Sequence, residues 1–308
     1  MRLGATPARV LACDSARVRL DVVVGLLALG ACSSKSGLDE KATAGILVEV
    51  PVKTAHGLSG LAADAQGRLW TVSERAERAY RITLDAANTP AIETFTITGA
   101  PDDTDLEGIE ELGGDRFAFG TEGRTAGLAT ILLGELRDRS IAITSTITLS
   151  NADVGIELAK NHGAEGICGG GDTIIAAIEG AGVEGEKRWA PVLRLEHGAL
   201  AQRYRVWLTS TTGKLSGLDC TIAADGTAEV WAIERHFEVT RILAFTLPPT
   251  GGDITPRIAL DLAMLGGKRN LEGIAQLTDG RIVTVSDNQW KTIEGPSYLQ
   301  VFAPGAVK

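Results

Sequence analysis

One short pattern recurs five times along this chain, and it constrains the fold more than any other feature. Each copy reads Ser or Glu, then Gly, then Leu or Ile, a turn, and an apolar run ending in an acid. The copies begin Leu58-Ser59-Gly60-Leu61, Leu106-Glu107-Gly108-Ile109, Ala164-Glu165-Gly166-Ile167, Leu215-Ser216-Gly217-Leu218 and Leu271-Glu272-Gly273-Ile274. Their glycines lie 48, 58, 51 and 56 residues apart, a period that marks one supersecondary unit per repeat. The second run of each copy is apolar at consecutive positions, as in Leu69–Ser73 before Glu74 and Ile174–Ile178 before Glu179. Strands covered on both faces read this way. Asp and Gly fill turns such as Asp64-Ala65-Gln66-Gly67 and Thr278-Asp279-Gly280, where hairpins need positive φ.

Two further strand-like runs follow each acid, Tyr80–Leu84 and Ile92–Ile97 in the first repeat. The fifth repeat has room only for Tyr298–Phe302, and its missing strand is available at the other end, in Gly45–Val52. The spacing therefore predicts an all-β fold, a β-propeller of five four-stranded blades over residues 44–304. The N-terminal strand closes the last blade and so removes a bare sheet edge. Six blades would need a repeat that the sequence does not display.

In each repeat the first strand leaves a level to which the second returns. The glycine and the closing acid are 14, 14, 13, 17 and 14 residues apart, enough for two strands and a turn. Glu107, Glu165 and Glu272 open first strands, while Glu74, Glu122, Glu179, Glu234 and Asp287 close second strands, so eight acids are expected at one mouth. Two carboxylates 4 Å apart at an effective dielectric near 20 repel by ~4 kcal/mol. Such crowding requires protonation, basic partners or a cation. Arg75 beside Glu74 and Arg235 beside Glu234 point to pairing for those two acids. Glu107, Glu165 and Glu272 have no adjacent base that repeats, and for them a cation is expected. All-oxygen donors favour calcium over zinc.

His56 and His162 stand at equivalent positions, three residues before Ser59 and Glu165. Their plainer role is hydrogen bonding to loop backbone; the sharper one is general acid or phosphate contact. Lys214, Arg235, Arg269, Arg75 and Lys268 would lie near the same face and could receive an anion. No nucleophile elbow, phosphate-cradling loop or metalloprotease helix is present in the sequence.

The formal net charge of −9 argues against nucleic acid as a partner, because phosphate contacts need a basic surface. The first 31 residues carry four Arg and two Asp, leaving −11 on the remainder. Val22–Leu29 is an apolar run too short to span a bilayer but suited to a signal peptide. It leads into Leu29-Gly30-Ala31-Cys32, which resembles a bacterial lipobox. The expectation is a signal peptide over 1–31, lipidation at Cys32 and a tether over 32–43. Ser33 after the Cys resembles signals that send lipoproteins to the outer membrane. The protein is thus expected as a monomer, lipid-anchored on the periplasmic face of that membrane. Cys168 and Cys220 remain, and buried free thiols are the simpler expectation although the compartment permits a disulfide.

The repeats resemble the family known as esterase-like activity of phytase, on the strength of Leu106–Ile109, Ala164–Ile167, Asn270–Ile274 and Ser286-Asp287-Asn288. The resemblance implies an exported calcium-dependent hydrolase of phosphate or carboxylic esters, acting on a small anionic or ester substrate. It implies Glu107, Glu165 and Glu272 as metal ligands and Asp287 with Asn288 as a neighbouring site. Glu165 or His162 would move the proton, while His56, Lys214, Arg235, Arg269 and Arg75 would face substrate. The chain is also similar to calcium-dependent lactonase propellers of the gluconolactonase type. The competing reading is a non-catalytic propeller whose funnel holds a ligand or a partner.

Overall fold

The computed structural model describes residues 46–53, 56–74, 76–236, 239–262, 270–288 and 295–307. The export segment, Cys32, the tether, Arg75, Lys268 and Arg269 lie outside the described residues. The consecutive apolar runs form buried strands, arranged in antiparallel four-strand meanders. Blade 1 comprises Leu58–Ala63, Leu69–Ser73, Arg78–Leu84 and Pro90–Thr98. Blade 2 comprises Leu106–Gly113, Arg116–Thr121, Leu128–Arg137 and Ser140–Ser150. Blade 3 comprises Ala164–Gly170, Thr173–Ile178, Lys187–Glu196 and Ala199–Trp207. Blade 4 comprises Lys214–Ile222, Ala228–His236, Val239–Leu247 and Arg257–Asp261. Blade 5 comprises Asn270–Gln276, Ile282–Asp287 and Ser297–Phe302, and its fourth strand is Ile46–Val52, paired antiparallel with Ser297–Phe302.

The recurring glycine explains how the blades meet. A Cβ on Gly60 would stand 2.8 Å from Ile109 N; on Gly108, 2.8 Å from Glu165 O; on Gly166, 2.8 Å from Leu218 N. On Gly217 it would stand 2.8 Å from Glu272 O, and on Gly273 2.5 Å from the carbonyl carbon of Gly60. Each first strand therefore abuts the next through bare backbone, and five steps return to the start. The ring is closed at its axis. Any side chain at these glycines would pry two blades apart.

The apolar core divides in the same way, into wedges between successive blades. Trp70 and Phe95 of blade 1 meet Phe117 and Phe119 of blade 2, with Trp70 4.9 Å from Phe95 and 4.8 Å from Phe117 between ring centroids. Equivalent wedges join blades 2 and 3, 3 and 4, 4 and 5, and 5 and 1. Central strands thus bury both faces, which is why their sequences do not alternate. A four-residue helix, Asn151–Val154, which the repeat pattern does not announce, links blade 2 to blade 3 behind a Ser150–Asp153 capping box.

Cys168 and Cys220 form a disulfide with Cα atoms 5.7 Å apart, so the expectation of free thiols is overturned. The two residues sit on neighbouring first strands, blades 3 and 4, and close approach at the axis brings together positions 52 residues apart. Closing a loop of that length stabilises by about 4 kcal/mol in the chain-entropy view.

Gly166→Ala should lower the melting temperature by about 2–12 °C, from an overpacking cost of about 1–3 kcal/mol at about 2–4 °C per kcal/mol. Gly170→Ala, where a Cβ meets nothing within 4 Å, should leave it unchanged. Equal melting shifts for the two variants would remove the steric account of the repeat. Cys168→Ser with Cys220→Ser should lower the melting temperature by roughly 5–15 °C, read by differential scanning fluorimetry.

Candidate active site at the acidic mouth

The glutamates reach the axis because the strands are irregular where they begin. Leu106 pairs with Thr121 and Gly108 with Gly120, leaving Glu107 as an extra residue in its strand. The same slip occurs at Glu165, Ser216 and Glu272. A bulge takes the extra residue out of the ladder and re-aims its side chain. In blade 1 the slip falls just after Ser59.

Glu107, Glu165 and Glu272 are 8%, 4% and 3% exposed. Glu107 feels the charges of Glu165, Glu74 and Glu272, although the first strands bearing Glu107 and Glu272 are not neighbours in the ring. These carboxyls face one another across the axis. Glu122 and Glu179 join the cluster through Glu165. Ser59 Oγ donates to Glu107 Oε2 at 2.9 Å. Lys214 Nζ bridges Glu179 and Glu165, 3.4 Å from the latter. Arg235 clamps Glu272 with two hydrogen bonds, Nε to Oε2 being 2.9 Å, and Asn270 Nδ2 adds a third at 2.6 Å.

Burial, followed by the charges of Glu165, Glu74 and Glu272, raises the Glu107 carboxyl well above its ordinary range. Burial pushes Glu165 and Glu272 up to about 7 even though Lys214 and Arg235 pull them down. Lys214 loses proton affinity to burial, but the carboxylates around it, Glu165 foremost, leave it raised. His162 is lowered by burial and by Lys214, so the ring is neutral at pH 7. Its Nδ1 and the Oε2 of Glu179 are buried with no hydrogen-bond partner among the described residues.

A family model described as phytase-like, esterase-like activity of phytase, matches residues 53–290. The chain belongs to that family. No curated protein matches the sequence. Among solved structures, the PQQ-bound aldose sugar dehydrogenase of Streptomyces coelicolor is 13% identical, over 83% of this chain and 97% of its own, with a TM-score of 0.50. A calcium-binding regucalcin of Agrobacterium tumefaciens is 12% identical over 83% and 93%, with a TM-score of 0.41. A gluconolactonase of Xanthomonas campestris is 14% identical over 80% and 72%, with a TM-score of 0.41. At such identities the likeness concerns the propeller fold alone.

Of the residues singled out from sequence, this phytase-like propeller brings Glu107, Glu165, Glu272, His162, Lys214 and Arg235 together. Arg235 does not pair with its neighbour Glu234, as the sequence suggested, but reaches across to Glu272 of the next blade. Glu234 is fully buried and satisfied by the loop before blade 4. The N–H groups of Thr209 and Ser210 donate to it at 3.1 and 3.0 Å, and both hydroxyls donate as well. It is therefore a structural anchor and leaves the set of mouth acids. Asn288 accepts from Gly57 N at 2.9 Å and donates to His56 Nδ1 at 3.0 Å and Gly295 O at 3.2 Å. Asn288 and His56 thus clasp blade 5 to blade 1. Asp287 is buried beside Asn270, whose Nδ2 lies 3.3 Å away. Asn270, shared between Glu272 and Asp287, carries no role in the sequence reading; its signal was its place just before a repeat glutamate.

Among the described residues no three His, Cys, Asp or Glu side chains are already gathered as a metal-ligand set. The donor chemistry nevertheless fits a hard cation. Glu107, Glu165, Glu179 and Glu272 face two basic side chains, Lys214 and Arg235, and no described base forms an ion pair with Glu107. Glu74 and Glu122 act on the same carboxyls, so acids outnumber the described bases at this mouth.

Raised carboxyls bind more protons in the folded than in the unfolded chain between about pH 4.5 and 7. The stability they contribute is complete at low pH and is lost as pH rises through the folded values. In chelator the melting temperature should fall from pH 5 to pH 8, and Glu107→Gln should flatten the fall. A flat wild-type profile would contradict the buried cluster.

Proposed function

We propose that this phytase-like propeller is an exported, calcium-dependent hydrolase of phosphate or carboxylic esters, working at the acidic mouth. The observation that carries this reading is the crowding of buried carboxyls around Glu107, held across the axis by bulges that recur from blade to blade. Glu107, Glu165 and Glu272 would hold the ion, with Asp287 beside them, once Lys214 and Arg235 yield part of their hold. Calcium bound there would polarise an ester or phosphoryl oxygen and lower the proton affinity of a water.

The remaining chemistry belongs to the side chains. Glu165, balanced near neutrality between burial and Lys214, is suited to exchange a proton at working pH. His162, whose proton affinity is lowered by burial and Lys214, has an Nδ1 with no partner among the described residues, and a substrate hydroxyl that reached it could donate to it. Lys214, released from Glu179, offers its charge to a departing anion. Export is supported by the Cys168–Cys220 disulfide, since such bonds persist in oxidising compartments. It is supported as well by the lipobox-like run ending at Cys32, which would anchor the chain at the periplasmic face of the outer membrane.

A second reading draws on the ion pairs themselves. Arg235 with Glu272 and Lys214 with Glu165 already satisfy much of the mouth, as they would in a propeller that only binds a ligand or partner. The test is turnover of nitrophenyl phosphate, nitrophenyl acetate and a simple lactone, with calcium and with chelator. Hydrolysis that chelator abolishes, and that Glu107→Gln lowers at least about tenfold in kcat/KM, is expected. Absence of turnover on all three, alongside a calcium-induced rise in melting temperature, would favour the binding reading.

A further inference from the structure

The apolar wedge between blades 1 and 2 is left open at the acidic mouth. Between blades 2 and 3 the connection, residues 151–163, sends Val154 and Leu158 into the wedge below it. Between blades 1 and 2 the connection is the shorter stretch 99–105, from which Ala100 packs against the wedge. The space that remains is a pocket of about 240 Å³. Leu128, Thr130 and Leu132 alternate along the third strand of blade 2 and so line it from one face. Leu132 is fully buried and continues into the aromatic wedge around Trp70 and Phe95, whereas Leu128, at the mouth end of the strand, is 36% exposed.

The pocket adjoins the groups that would move the proton. Glu122 lies on its wall and is near enough to Glu165 to feel its charge. The next wall residue, Gly123, is tied to the His162 loop. Its N–H donates to His162 O at 3.1 Å, and its carbonyl accepts from Asn161 N at 2.7 Å. A substrate reacting beside Glu165 and His162 would therefore lay one arm in this pocket.

The wall chemistry limits what that arm can be. Thr104 and Thr121 donate their hydroxyl protons to Pro101 O at 2.6 Å and Thr130 O at 3.2 Å, which withholds those protons from a ligand. Arg124 is the one base among the described wall residues, and it pairs with Asp105 at 3.3 Å. Asp102 and Glu122 stand on the same wall and would repel a phosphate. An apolar cavity of about 150 Å³ is enough for benzene, so the volume suits a short alkyl chain or a single ring.

Building on the ester-hydrolase reading, we propose that this pocket is the subsite for an uncharged, apolar arm of the substrate. That arm is a short alkyl or aryl group, carried on either side of the ester bond. The preferred substrate is then a simple apolar ester and not a polyphosphorylated one.

The experiment compares methyl acetate, methyl butyrate and butyl acetate by pH-stat titration in calcium, which separates the acyl arm from the alcohol arm. Whichever arm enters, its longer form should gain at least about tenfold in kcat/KM over methyl acetate, each buried CH₂ being worth about fourfold. Leu128→Trp, which fills the pocket, should cut that gain to about twofold or less; if it fails to fold, Thr125→Trp at the exposed rim carries the same comparison. Butyl methyl ketone cannot be hydrolysed and gives a readout independent of turnover and metal. Saturation-transfer NMR in chelator should show it bound to wild type and lost from the tryptophan variant. Ketone binding of that kind without turnover of any ester would support the subsite while ending the hydrolase reading. Equal kcat/KM on all the esters, or equal ketone signals in wild type and variant, would overturn the subsite. So would hydrolysis of inositol hexakisphosphate that Arg124→Ala abolishes, because the rim would then be serving phosphate.

Discussion

Five strands converge on one axis more closely than side chains permit, and the rest of the molecule follows from that contact. At Gly60, Gly108, Gly166, Gly217 and Gly273 the backbone of one blade lies against the backbone of the next, with no room for a Cβ. The apolar wedges between blades can then close outward from a fixed centre. The loss of a residue from each ladder beside these glycines has a second effect. It leaves Glu107, Glu165 and Glu272 outside the hydrogen-bond pattern and aimed inward. The device that packs the axis also loads it with charge.

That charge is the costly part of the structure. Carboxylates taken from water into a crowded axis must be neutralised by protons, by bases or by an ion. The protein uses bases where blade 4 supplies them: Arg235 answers Glu272, and Lys214 answers Glu165 and Glu179. Glu107 is hydrogen-bonded by the Ser59 hydroxyl and forms no ion pair with a base among the described residues. Where an acid is purely structural the solution differs, as at Glu234, where four donors of Thr209 and Ser210 take the place of a counter-ion. The contrast separates a finished anchor from a cluster of carboxyls that burial holds well above their ordinary range.

The ring is also tied where it would open first. Ile46–Val52 completes the last blade, Asn288 binds Gly57 across the same seam, and the Cys168–Cys220 bond locks blades 3 and 4. Outer edges are joined too, since Thr96–Thr98 of blade 1 runs parallel to Ser140–Ala142 of blade 2. A rigid rim of this kind is what holds mouth side chains in place on strands rather than on loops.

The sequence by itself determined the repeat, the strands and the mouth at which Glu107, Glu165 and Glu272 would gather, because side-chain period and turn residues are local properties of a chain. It could not determine pairing between blades. That Arg235 leaves adjacent Glu234 for Glu272, that Asn288 spends its amide on His56 and Gly57, and that two cysteines 52 residues apart become bonded all depend on which strands become neighbours. Electrostatic partners are chosen by distance through space, and only the closed ring sets those distances.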